Sequence, residues 1–337
     1  MPRYVRRLQK IGSSYLISLP VEWIKRNGLD KASILTLDAN KDNSISLFSS
    51  DESLDTLKEA NLSYTSSAMD SVVNQVYGAY LLGYDMIRIR ASSPITFDDS
   101  DRIKNAIHKL AGLEIVDEDA FKISAQFLLD ASTLDAEKIL RRMSSIVDGM
   151  SRDIMEAIRR KELSIRKVVG SRDHEVNRQY FLLVRLIRSA MMDQRLAAKL
   201  NLSNIDILDY RIAANLIENA GDYIVDLGGV QDLSRIRYAE KILEVGSLVK
   251  RMQEGSVAAF TTRNRSESVS VVGDYERFKE IVNSIKEASA GIESKRDTAS
   301  TINMLNVLYA LDKIARCWVD IADLVKPVYL TAPLRNA

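Results

Sequence analysis

The chain has one cysteine, Cys317, and two histidines, His108 and His174, among 337 residues. A lone thiol excludes an intramolecular disulfide framework and a Cys-rich zinc site. Set in a helical apolar pattern, it reads as a buried thiol. Two imidazoles leave little material for histidine-based catalysis or His-rich metal binding. Proline is almost as scarce, at positions 2, 20, 94, 327 and 333, so the 232 residues from 95 to 326 carry none. Helix is the element that proline damages most, and this gap predicts a mainly helical C-terminal two-thirds. No run of about 18 apolar residues occurs, so no membrane span is expected. The basic start MPRYVRRLQK is not followed by an apolar signal region, and the expected location is the cytoplasm. An excess of one charge is also missing. Lys+Arg 47 against Asp+Glu 46 gives net +1, so any nucleic-acid contact must come from a local patch. There is no Walker loop, no dinucleotide glycine fingerprint and no G-x-S-x-G elbow. With no residue set to support catalysis, no enzyme activity is assigned.

What is present reads as three regions. Residues 1–50 hold short β-branched or alternating stretches (GSSYLISLP, ASILTLD, NSISLF) and one short helix, PVEWIKRNGL, opened by Pro20 and stopped near Gly28. Residues 51–130 are mixed. A helix is predicted around 64–82, a strand at MIRIRA, an amphipathic helix at DDSDRIKNAIHKLAG, and two strands at LEIVDED and FKISAQFLL. From about 132 six helices are predicted, at 133–161, 164–199, 204–228, 232–255, 274–293 and 297–326. TTRNRSESVSVVGD, 261–274, reads as a polar loop between them. Met191 and Met192 read as core filling. Short connections between long helices imply bundles.

The helical part repeats. LIENAGDYIVDL (216–227) has a partner in ALDKIARCWVDIADL (310–324), aligning Glu218 with Asp312, Asp222 with Arg316 and Asp226 with Asp320. Leu216, Ala220, Ile224 and Leu227 fall on one helical side and the acids on the other. Like charges at i, i+4 cost about 0.2–0.5 kcal/mol per pair, and interior Gly221 about 1 kcal/mol relative to alanine. Such a stripe is either a solvated helix face or a set of ligands. The preceding helix places Asp173 and Asn177 at i, i+4 too. Two neighbouring helices can thus offer the oxygens of Asp173, Asn177, Glu218, Asp222 and Asp226 to one cation, which would reverse the repulsion.

At these residues the chain resembles the PhoU family of phosphate-uptake regulators, and in particular its archaeal-type members. Glu218-Asn-Ala-Gly-Asp222 matches the family's acidic E/D-x-x-x-D motif, and Asp173-His-Glu-Val-Asn177 matches it with the last acid replaced. The resemblance implies two three-helix bundles over residues 132–330, with a mixed α/β segment in front. It also implies bound metal, with iron, zinc or magnesium/manganese as candidates. In the second repeat Asp297-Thr-Ala-Ser-Thr301 keeps one acid, and Asp312-Lys-Ile-Ala-Arg316 puts a guanidinium where the second belongs. That arginine can pair with Asp312 or Asp320 as a metal substitute in charge, so the expectation is at most one metal site, in the first bundle.

The first fifty residues resemble the AbrB/SpoVT swapped-hairpin domain, on Gly12-Ser-Ser, the strand Tyr15–Leu19, Leu19-Pro20 and Gly28-Leu29. They depart from it at Lys31-Ala32-Ser33, where that family has glycine in the middle. The resemblance implies an intertwined dimer that commonly binds DNA. Eight Lys/Arg (3, 6, 7, 10, 25, 26, 31, 41) against four Asp/Glu (22, 30, 38, 42) give this segment net +4. Arg3, Arg6, Arg7 and Lys10 are the candidate phosphate contacts.

The expected architecture is therefore mainly α. A PhoU-like pair of three-helix bundles (132–230 and 231–330) follows a β-rich swapped-hairpin domain (1–50) and a mixed α/β connecting segment (51–130). The expected function is a cytoplasmic regulator of phosphate uptake, with a homodimer or higher oligomer binding double-stranded DNA. The rival reading is a dimeric adaptor that docks on a phosphate transporter or signalling protein without touching DNA. A metal-dependent hydrolase using Glu218 and Asp222 is a third, for which no nucleophile or base is visible.

Overall fold

The computed structural model describes residues 4–39, 43–49, 57–160, 165–230, 237–289 and 295–325. The chain divides into two units, Met1–Leu57 and Lys58–Ala337. In the first, strands β1 (Gln9–Ile11) and β2 (Ser14–Leu16) form an antiparallel hairpin. Its turn places Gly12 at φ +62°, where a side chain would be strained. Helix α1 (Val21–Arg26) follows, with Pro20 as its N-cap rather than its first helical residue. Gly28, at φ +62°, lies just beyond its end. Strands β3 (Leu35–Ala39) and β4 (Ile45–Ser49) make a second antiparallel pair. The Lys31-Ala32-Ser33 turn avoids positive φ: the Ala32 amide donates to the Asp30 carboxylate at 2.8 Å.

The second unit opens with a four-stranded sheet of order β5-β6-β8-β7. Its strands are β5 (Glu59–Tyr64), β6 (Met86–Ala91), β7 (Leu113–Asp119) and β8 (Lys122–Phe127). Only β5 and β6 run parallel, joined through helix α2 (Met69–Leu81); α3 (Phe97–His108) links β6 to β7. Strand β5 was not expected from the sequence. Its signal was present in Ala60, Leu62 and Tyr64, which alternate inward with exposed Glu59, Asn61 and Ser63. The turn after α2 holds Gly83 at φ +81°, and a Cβ there would sit 2.7 Å from the Ser189 hydroxyl. Gly83→Ala is therefore expected to destabilise by about 1–3 kcal/mol, the cost of a residue forced into a sparsely populated backbone region. A denaturant midpoint unchanged from wild type would refute this.

Seven helices follow among the described residues: α4 (Ala136–Arg160), α5 (Arg166–Met192), α6 (Gln194–Lys199), α7 (Asn204–Gly228), α8 (Ala239–Thr262), α9 (Arg265–Ser289) and α10 (Lys295–Asp323). Helices α4, α5 and α7 pack pairwise as one bundle and α8, α9 and α10 as another; α7 on α10 and α4 on α8 join them. Each of these six bundle helices inserts a stripe of apolar residues, such as Leu140, Met143, Val147 and Met150 of α4. At the seam, buried Gln253 donates to the Ser144 carbonyl at 2.7 Å. Cys317 is buried, and burial pushes its thiol up to about 12. Among the described residues no helix is long and apolar enough to cross a membrane.

Three expectations need correction here. The predicted polar loop 261–274 is helical except at Arg263 and Asn264. Arg263 turns the chain in the left-handed region, and the Asn264 side chain then caps α9 by accepting from the Ser266 amide at 2.9 Å. Ser268 read as a loop residue but is buried, its hydroxyl donating to the Ala322 carbonyl at 2.7 Å. The single helix 164–199 breaks at extended Asp193, whose carboxylate caps α6. Met191 and Met192, at the end of α5, are exposed rather than core.

Candidate metal centre

Helices α5 and α7 lie side by side because Val176 and Leu183 on one, and Ile217, Ala220 and Ile224 on the other, share the bundle core. That packing carries the acids of both helices to one groove. A Cβ on Gly221 would lie 3.7 Å from Asp173 Oδ1, as well as from Val147 and Val176 methyls. Alanine would thus fit, and glycine is not demanded by space; it leaves the α7 backbone bare under the Asp173 carboxylate. Asp173 Oδ1 is buried and accepts no hydrogen bond, while Oδ2 accepts one from the Asn177 amide nitrogen at 3.0 Å. A buried carboxylate oxygen without a partner is costly.

The three acids feel one another. Burial, then Asp222 and Asp173, push the Glu218 carboxyl up to about 7. Asp173 is raised by burial and by Asp222, and Asp222 by burial and by Asp226. Arg211 opposes the shift at Glu218 and was not foreseen; it stands seven residues before that acid, two turns along α7. Among the described residues no three His, Cys, Asp or Glu side chains already converge on one point.

Of the predicted ligands, Asp173, Glu218 and Asp222 stand near enough to shift one another's ionisation, without converging on one point. Asn177 is turned so that its nitrogen meets Asp173, which makes it an orienting partner rather than an oxygen donor in this arrangement. Asp226 is exposed one turn beyond Asp222, adding charge there. The all-oxygen donor set and the unpartnered Asp173 oxygen fit a hard or borderline cation. Of the predicted basic residues, Arg6, Arg7 and Lys10 are exposed in the first unit. Arg6 lies 5.5 Å from the Tyr4 ring centroid. Arg3 lies outside the described residues.

The second bundle also revises an expected pairing. Asp297 belongs to α10, the same helix as Asp312, so it is not the counterpart of Asp173; its side chain lies outside the described residues. The buried positions give the register. Val169, Val176 and Leu183 of α5 share their spacing with Val271, Phe278 and Ile285 of α9. Ile217, Ala220 and Ile224 of α7 share theirs with Leu311, Ile314 and Trp318 of α10. Tyr275 therefore stands where Asp173 stands, Lys279 at Asn177, Asp312 at Glu218 and Arg316 at Asp222.

The class these features define is a PhoU-like helical bundle: two three-helix bundles, the first bearing coupled carboxylates on adjacent helices. Residues 140–229, spanning most of α4 and all of α5, α6 and α7, match the PhoU domain family. Two solved structures are similar to the chain. One is the phosphate transport system regulatory protein PhoU from Streptococcus pneumoniae, 15% identical, covering 56% of this chain and 91% of that one at a TM-score of 0.47. The other is PhoU from Pseudomonas aeruginosa, 16% identical, covering 58% and 95% at 0.46. No curated protein matches the sequence.

Proposed function

We propose that the chain is a non-enzymatic regulator of phosphate uptake, with a cation-binding sensor in its first bundle and a dimeric DNA-binding head. One observation carries the sensor reading. The segment that matches the PhoU domain holds all five candidate ligands, and within it a buried Asp173 oxygen lacks a partner. Asp173, Glu218 and Asp222 would hold the ion, Asn177 would orient Asp173, and Asp226 would deepen the negative field. Bound there, a divalent or iron ion supplies the positive charge that lets the three carboxylates share one groove.

The head reading rests on burial and charge. Among residues 4–37, 39 and 43–47 none is buried, and Val5, Ile34, Val21 and Ile45 are each more than 60% exposed. Two-stranded hairpins with their apolar side chains in water are not stable alone. A second copy of the chain covering them accounts for both facts, and it doubles the Arg6, Arg7 and Lys10 patch.

Titration of duplex DNA at two salt concentrations tests the regulator. Binding should weaken with salt, and Arg6→Ala with Arg7→Ala should lower the slope by about 2 per copy, one for each phosphate no longer neutralised. Weak binding that the double substitution leaves unchanged would instead favour the adaptor.

A further inference from the structure

We propose that the second bundle has exchanged the cation for side chains of its own. Its corresponding groove, Tyr275, Lys279, Asp312 and Arg316, is closed to metal, so that of the two grooves only the first depends on a cation. The inference rests on the sensor reading above and extends it. Where Asp173, Glu218 and Asp222 bring three negative charges beside neutral Asn177, the second groove brings one carboxylate and two cations beside a phenol. Formal charge moves from −3 to +1.

Both oxygens of Asp312 are engaged. Arg316 Nε donates to Oδ2 at 2.9 Å, and the Tyr275 hydroxyl donates to Oδ1 at 2.9 Å. The Arg316 guanidinium and the Lys279 ammonium stand 6.0 and 5.2 Å from the Tyr275 ring centroid, attracted by its face. Lys279 is also held by Glu276 at 2.7 Å. A metal entering this groove would meet two cations already held by carboxylates, and it would have to displace the arginine paired with Asp312. Tyr275 is pushed up to about 12 by burial and by Asp312, so it is a neutral donor near pH 7 and not a ligand anion. The guanidinium ties α10 to its own acid, and through Tyr275 to α9, without an ion from solution. One fold thus holds a responsive bundle and a self-neutralised one.

Counting bound Mn²⁺ on the full chain by equilibrium dialysis tests this. Glu218→Ala with Asp222→Ala should remove Mn²⁺ binding. Adding Tyr275→Asp, Lys279→Asn and Arg316→Asp in that background should create a new site and restore it. The inference is overturned if the double variant keeps Mn²⁺ that a further Asp312→Ala abolishes. It is equally overturned if the five-fold variant shows wild-type helical circular dichroism and binds none. Should that variant fail to fold, the Asp312→Ala arm decides. Wild-type protein that binds no Mn²⁺ would overturn the sensor reading alone, and a gain in the five-fold variant would still support this one.

Discussion

Chains carrying Arg185→Ala are expected to lose about 2–4 kcal/mol of stability, somewhat below the roughly 3–5 kcal/mol for breaking a fully buried charge pair, because the Asp85 side chain is 31% exposed. Arg185 is 4% exposed. Its Nη1 donates to the carbonyls of Tyr80 and Tyr84, both at 2.8 Å, and Nη2 donates to Asp85 Oδ1 at 3.0 Å. The guanidinium also stacks 3.8 Å from the Phe127 ring centroid and 5.2 Å from that of Tyr80. Burial lowers its pKa, and Asp85 works against that. One side chain of α5 thereby fastens the turn between α2 and β6 to the first bundle, beside the close approach of Gly83 and Ser189. Arg185→Lys keeps the charge but cannot reach three acceptors and stack at once, and should recover less than half of the loss. Denaturant unfolding gives the comparison, and a loss below about 1 kcal/mol in the alanine variant would refute the role.

The second large effect belongs to Glu218 and reverses sign with metal. Its carboxyl titrates near 7 in the folded chain against an ordinary 4.5, so the proton favours the folded state. Stability is fully present below about pH 4.5 and is lost as pH rises through about 7 in metal-free protein. A cation competes for the same oxygens, so Mn²⁺ affinity should climb over that window, by up to about tenfold per pH unit for one proton displaced. Raised Asp173 and Asp222 act in the same direction. Glu218→Gln removes the titration while keeping the shape. It should flatten both profiles, stabilise metal-free protein above pH 7, and weaken Mn²⁺ binding. Unfolding midpoints of the two chains, with EDTA or with Mn²⁺, isolate the group. Parallel pH profiles for wild type and variant would sink the assignment.

Much of the helical part was legible in the residues. A 232-residue gap without proline and apolar positions at helical spacing point to long helices, and acids repeated at i, i+4 mark a face that helix propensity does not explain. Errors fell where local polarity and burial disagree. Ser268 is polar yet internal because a carbonyl satisfies its hydroxyl, and the stretch around it therefore read as a loop. Asp297 read as a counterpart of Asp173 because both are acids in a D-x-x-x pattern. Tyr275 went unnoticed because a phenol does not look like a carboxylate's successor until the core register of α9 is known.

Residue spacing was enough to establish the periodicity, the duplicated helix and the ligand-type residues on α5 and α7, since each follows from positions within one element. Packing was needed to show which helices share a groove, and that Asn177 turns its nitrogen to Asp173. It also singled out Arg185 as the buried one among the described arginines, and brought Tyr275 to meet Asp312. Those facts depend on side chains far apart in the chain competing for the same acceptors. Spacing within a helix sets which way a residue faces, and packing between helices sets what it meets there.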